Sequence, residues 1–171
     1  MILPIITAPN SLLRKKAQVV EPGNLQNLQT FIDDMFDTLR ASGGVGLAAN
    51  QVGSNLNLFV VIVEQKELVF VNPVVIDAST ETDKQDEGCL SLPGLVLKIP
   101  RSKKIKVMFR DRNGEQQVTD MEDGWARIFL HEFDHLQGIM MDDRAGPVSL
   151  MLAKNKLAKK KKLQSRQKVA A

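Results

Sequence analysis

The chain has two histidines, and both fall in one five-residue run, His131-Glu132-Phe133-Asp134-His135. Residues four apart on an α-helix stand one above the other on the same face. Two imidazoles at this spacing can therefore reach a single cation, with Glu132 beside the water that the cation binds. A cation lowers the pKa of water and a neighbouring carboxylate takes the proton, which is the chemistry of hydrolysis at a carbonyl.

Such a site needs a third ligand. Peptidases with this histidine spacing commonly recruit a carboxylate from further downstream, but after Asp143 the chain has neither Asp nor Glu. Only Asp142 or Asp143 could serve in that way. A second known pattern wants glycine where Gly138 stands and a third histidine at position 141, which is Met. The remaining soft donor is the single cysteine, Cys89, in Glu87-Gly88-Cys89-Leu90-Ser91, with the turn-forming pair Pro93-Gly94 after it. Two imidazoles and one thiolate leave a fourth position open, the mark of a catalytic rather than a structural site.

A third segment, Gly44-Val45-Gly46-Leu47-Ala48-Ala49-Asn50-Gln51, has the glycine spacing of a dinucleotide fingerprint, with Glu64 downstream. Its context refuses that reading. A fingerprint follows a strand and opens a helix, whereas Phe31, Ile32, Met35, Phe36 and Leu39 before it are spaced as an amphipathic helix and residues 58–63 after it as a strand. Small residues between a helix and a strand let backbone approach something closely. Gln51 ends the run as its polar donor.

In this order and at these separations, GVGLAANQ, EGCLS and HEFDH resemble the three signature motifs of the peptide deformylases, which remove the N-formyl group from nascent polypeptides. The likeness extends to Ile2-Leu3, to residues 9–17 and to Ile99-Pro100-Arg101, and so covers nearly all of residues 1–145. One position departs from the family's pattern: Leu130 stands where Gln usually precedes the first histidine. The resemblance implies a divalent metal ion on Cys89, His131 and His135, Fe²⁺ in the cell with Zn²⁺ or Ni²⁺ able to replace it. It implies Glu132 as the base, and Gln51 and the Leu90 N–H as donors to the oxyanion. It also implies a substrate-binding set of Gly44, Val45, Gly46, Glu87, Trp125 and Ile128. The glycines are expected to form a wall that admits only a formyl group, and Val45, Leu90, Trp125 and Ile128 an apolar slot for methionine.

Composition agrees with one core. The 171 residues are 43% hydrophobic, enough for a single domain. A single cysteine cannot form an internal disulfide, and neither a secretory leader nor a membrane span is evident, so a cytoplasmic protein is expected, with no membrane or DNA partner. Pattern and turn signals predict a helix over 24–40, strands over 56–64, 67–71, 95–99, 105–110 and 116–121, a turn at Asp111-Arg112-Asn113-Gly114, and the motif-bearing helix over 124–136, stopping at Gly138. These elements read as α+β: short antiparallel and mixed sheets around a central HExxH helix, with an N-terminal and a C-terminal helix.

The expected catalytic unit is 1–149. Residues 150–171 form a basic helix or tail with eight Lys or Arg and no acid, so of the net charge of +3 the rest of the chain carries −5. Leu150, Ala153, Leu157 and Ala158 make an apolar stripe fit to dock on the body, while Lys159, Lys160, Lys161 and Lys162 cannot all be buried. By resemblance this segment meets the ribosome near the exit tunnel. Two other readings are a general HExxH metallopeptidase, which the missing downstream carboxylate opposes, and a zinc-containing RNA-binding module, which would want four protein ligands.

Overall fold

A computed structural model describes the backbone of residues 1–169 and the side chains of residues 1–165. The final residues of the basic segment, Ala170 and Ala171, lie outside the described residues.

The alternation of one strand decides the layering. β2 (Leu58–Val63) reads Leu-Phe-Val-Val-Ile-Val, and successive side chains of a strand point to opposite faces. Leu58 and Val60 face α1 (Gln29–Ser42), packing with its Ile32, Met35, Phe36 and Leu39. Phe59 and Val61 face the other way, onto Ala126, Phe129 and Leu136 of α2 (Asp123–Leu136), the helix that carries both histidines. The Phe59 ring stacks on Phe70 at 4.7 Å and meets Phe129 edge-on at 5.3 Å. Truncating a buried phenylalanine such as Phe129 to alanine costs roughly 3–5 kcal/mol, and here it would loosen the helix that bears the site.

The sheet between these helices has five strands in the order β1 (Gly46–Ala48), β2, β3 (Lys66–Ala78), β6 (Lys104–Arg110), β7 (Gln116–Glu122). A separate hairpin pairs β4 (Thr82–Gly88) with β5 (Val96–Ser102). Among the described residues every ladder is antiparallel, and the expected mixing amounts to one isolated parallel bridge, Gln18 with Leu56. The hairpin closes over a third cluster in which Leu13, Cys89, Leu97, Ile99 and Met140 are buried. The short α3 (Met141–Arg144) and the long α4 (Pro147–Val169) follow. Leu150, Ala153 and Leu157 of α4 pack against that third cluster, whereas Ala158 is exposed.

Several boundaries differ from those expected. The first helix begins as a 3₁₀ segment, Pro22–Leu28, because Pro22 and Gly23 favour a turn before regular α geometry sets in at Gln29. β3 continues well past Val71: Asn72, at φ +50°, and Pro73 interrupt the ladder as a bulge rather than ending it. β1 and β4 carry no strand signal of their own. β1 is only Gly-Leu-Ala, and β4 is polar throughout with a single buried residue, Glu87.

α2 stops where expected. Gly138 has φ +72°, and a Cβ there would lie 2.6 Å from the Arg14 carbonyl oxygen, so only glycine lets the N-terminal segment cross so close.

Candidate active site

His131 and His135 lie one turn apart on α2, their ring centroids 5.2 Å from each other. Cys89, the first residue beyond β4, brings its Sγ to 3.3 Å from His135 Nε2. One ligand atom from each of Cys89, His131 and His135 lies within 4.8 Å of the others. That closeness, and the soft donor set of one sulfur and two imidazoles, fit a single divalent cation such as zinc or iron. The third ligand the geometry offers is thus the cysteine. Asp143 is committed elsewhere, accepting the Met140 N–H at 2.8 Å and pairing with Arg14.

Glu87 governs the first histidine. Its Oε2 meets His131 Nδ1 at 2.9 Å, and both of its oxygens accept from Arg101 at 3.0 Å. Arg127 adds a further bond to Oε1 at 2.7 Å. Burial penalises the Glu87 charge, but the bonds from His131 and Arg101 outweigh it and hold the carboxyl at about 2. An ionised Glu87 can only accept, so Nδ1 of a neutral His131 carries the hydrogen and Nε2 is left with its lone pair for a cation. Although burial opposes the charge, bonds to Cys89 and Glu87 raise His131 to about 10 in the absence of a cation. A cation binding there displaces that proton. His135, pushed well below its ordinary value by burial and by the charges of His131 and Arg101, is neutral and free to ligate.

Glu132 is almost wholly buried, and its Oε2 has no hydrogen-bond partner among the described residues. Burial pushes its carboxyl up to about 7, against the pull of His131 and Arg101. It packs against Gly46: a Cβ on that glycine would come within 2.8 Å of both Cγ and Cδ of Glu132. The small residue in the first motif is therefore the space into which the carboxylate of the third motif fits.

These groups open onto a cleft of about 520 Å³ lined by Gly44, Val45, Gly46, Gln51, Glu87, Cys89, Leu90, Ile128, His131 and Glu132. Gln51 sits at its wall with Nε2 3.7 Å from Cys89 Sγ. Among the described residues the Leu90 N–H has no acceptor. Of the expected substrate contacts, one lies elsewhere and one reaches the cleft with its polar atoms already engaged. Trp125 lies in a different cavity, beside Leu68, Phe109 and Met121. Glu87 reaches the cleft wall, but both its oxygens are engaged by Arg101, Arg127 and His131.

Sequence reasoning passed over the buried ionic network behind the ligands. Arg101, 6% exposed, joins Glu87 to Asp134 at 2.5 Å, and Asp134 in turn pairs with Arg144. Arg101 Nη1 also donates to the carbonyl oxygen of Leu130 at 3.4 Å, a backbone contact available to any side chain at that position. Asp134 was visible inside the histidine motif, three residues from His131, but its partners come from segments far apart in the chain.

A convergent Cys/His/His donor set beside a buried carboxylate oxygen that has no partner among the described residues, on a helix packed against an antiparallel sheet, defines a hydrolytic metalloenzyme of α+β fold. A family profile described as polypeptide deformylase matches residues 2–150. A peptide deformylase of Thermotoga maritima is 40% identical over 146 residues, 85% of this chain and 88% of the relative. One of Treponema pallidum is 42% identical over 119 residues, 70% of this chain and 74% of the relative. Among solved structures, a peptide deformylase from Legionella pneumophila superposes with a TM-score of 0.86 at 38% identity, covering 97% of this chain and 99% of the other. One from Synechococcus elongatus in complex with actinonin gives 0.86 at 33% identity, covering 91% and 86%. The chain belongs to the peptide deformylase family, metal-dependent hydrolases that remove the N-formyl group from nascent polypeptides.

Proposed function

We propose that Cys89, His131 and His135 hold one divalent ion, Fe²⁺ in the cell with Zn²⁺ or Ni²⁺ able to replace it, and that the groups around them divide the work of deformylation. When bound, the ion supplies a Lewis acid and makes water acidic enough to attack a carbonyl near neutral pH. Glu132 takes the proton of the attacking water and later gives it to the departing amine. Burial raises this carboxyl toward neutrality while the positive charges near it favour the carboxylate, which suits a group that must both take and return a proton. The Gln51 Nε2–H and the Leu90 N–H donate to the formyl oxygen as it gains negative charge, and one such donor is worth roughly 3–4 kcal/mol in the transition state. The C–N bond breaks, formate leaves, and the methionine amine is free.

Val45, Leu90 and Ile128 on the cleft wall receive the methionine side chain, and Gly44 and Gly46 keep the formyl end narrow. Glu87 acts through His131 rather than on the substrate. Residues 1–149 are the catalytic unit. The basic segment after it, whose Lys159, Lys160, Lys161 and Lys162 are exposed, carries the enzyme to the ribosome near the exit tunnel by contact with phosphates.

The observation that carries this reading is the convergence of three donor atoms within 4.8 Å, next to a buried carboxylate oxygen without a partner. Anaerobic purification with metal analysis, run beside a formate-release assay, tests it. One equivalent of Fe²⁺ and formate release from formyl-methionyl peptides are expected, with N-acetyl peptides left intact. Cleavage of unformylated peptides at internal bonds would instead favour a general peptidase.

A further inference from the structure

Gln51 is fixed at both ends of its carboxamide. Oε1 accepts from the Ala48 N–H at 2.9 Å, and Nε2 donates to Ser91 Oγ at 3.1 Å while lying 3.7 Å from Cys89 Sγ. Ser91 is itself fully buried. The backbones of both residues are tied to one strap of the N-terminal segment: the Ile6 N–H donates to the Gln51 carbonyl at 2.7 Å and the Ala8 N–H to the Ser91 carbonyl at 2.9 Å. The first motif, the second motif and the start of the chain thus meet at Ser91, the first through its hydroxyl and the last through its carbonyl.

The terminal torsion of a glutamine is soft and nearly two-fold, so its direction is set by what the two ends bond. The Ala48 N–H requires an oxygen, which turns the nitrogen toward Ser91 and Cys89. That nitrogen carries two hydrogens. We propose that Ser91 is a positioning residue for deformylation: its buried hydroxyl accepts one Gln51 N–H and so aims the other along the cleft wall toward Cys89 Sγ, the side on which the formyl oxygen gains charge. The proposal rests on Gln51 being a donor to that oxygen. Without the hydroxyl the amide keeps its Ala48 bond but loses its second anchor, and the donor is aligned for a smaller share of the time.

A double-mutant cycle reads this directly. Ser91→Ala is expected to lower kcat about tenfold, with KM and metal content unchanged, since misaligning a donor costs less than removing it. Ser91→Thr, which keeps the hydroxyl, is expected to recover most of the loss. In a Gln51→Ala background, Ser91→Ala is expected to cost nothing more. The Gln51 side-chain amide hydrogens, followed by ¹⁵N NMR, are expected to exchange with solvent faster in Ser91→Ala than in the wild type. An equal loss in both backgrounds, loss of metal from Ser91→Ala, or unchanged amide exchange would overturn the role of Ser91 alone. Wild-type kcat in Gln51→Ala would instead overturn Gln51 as donor, and the role of Ser91 with it.

Discussion

Gly46 and Glu132 occupy each other's space: the glycine sits where a methyl group would overlap the carboxyl that closes the active site, 2.8 Å from its Cδ. β1 and α2 are thereby fitted at one point, and the fit sets where the carboxylate points. Gly46→Ala should move Glu132 off the water it must deprotonate while leaving the three ligands alone. A displacement of about 1 Å can cost a hundredfold in rate, so kcat is expected to fall by about that much with metal content unchanged. A variant that turns over like the wild type would show that the pocket relaxes and that the glycine has no bearing on the base.

Glu132→Gln should retain the metal and lose turnover, because the amide can fill the space but cannot accept a proton. In the wild type the base must be ionised, so kcat/KM rises with pH through the Glu132 pKa and then levels. That pKa is about 7 without a cation, and a bound positive charge favours the carboxylate, so the midpoint of the rise is expected at or below pH 7. Loss of metal from the variant, or activity within a few-fold of the wild type, would count against Glu132 as the base.

Glu87 links pH to stability. Its carboxyl lies at about 2, below its ordinary value of 4.5. A depressed acid contributes stability that is whole above its unfolded pKa and is lost as pH falls through the folded one. Glu87→Gln, which leaves the buried Arg101 with less compensation, should destabilise the fold by about 3 kcal/mol at pH 6. The difference should narrow steadily between pH 4.5 and 2. Thermal unfolding across that range checks it, and a difference that ignored pH would mean that the charge of Glu87 does not stabilise the fold.

The convergence of Cys89, His131 and His135 could be expected from the chain because its chemistry is local: a step of four from His131 to His135 is about one helical turn, and a single cysteine leaves no rival thiolate. The amphipathic spacing that marked α1 is local in the same way. Trp125 lines a different cavity for a reason that helix geometry already contained. At 100° per residue, Ile128 lies about 60° around α2 from His131 and Trp125 about 120°, so one faces the cleft and the other does not. β4 was hidden because it is stable through pairing with β5, and a charged run with one buried glutamate has no alternation to betray it. The Glu87, Arg101, Asp134 and Arg144 network joins β4, β5, α2 and α3, and no spacing within any one of them announces the others.

The last prediction concerns the basic helix. Truncation after Pro147 removes all eight of its positive charges and none of the ligands. Release of formate from a short formyl-methionyl peptide should persist. Stability should fall by about 2–3 kcal/mol, since Leu150, Ala153 and Leu157 lose their seat on the third cluster and Gly94, against which Leu157 packs, loses its cover. Ribosome binding should weaken sharply. Because that binding is argued from phosphate neutralisation, the affinity of the full chain should drop steeply between about 50 and 200 mM salt, while what remains in the truncated chain should respond little. Equal affinity of the two forms for ribosomes, or a full chain indifferent to salt, would leave Lys159, Lys160, Lys161 and Lys162 as a solvated helix end with no partner.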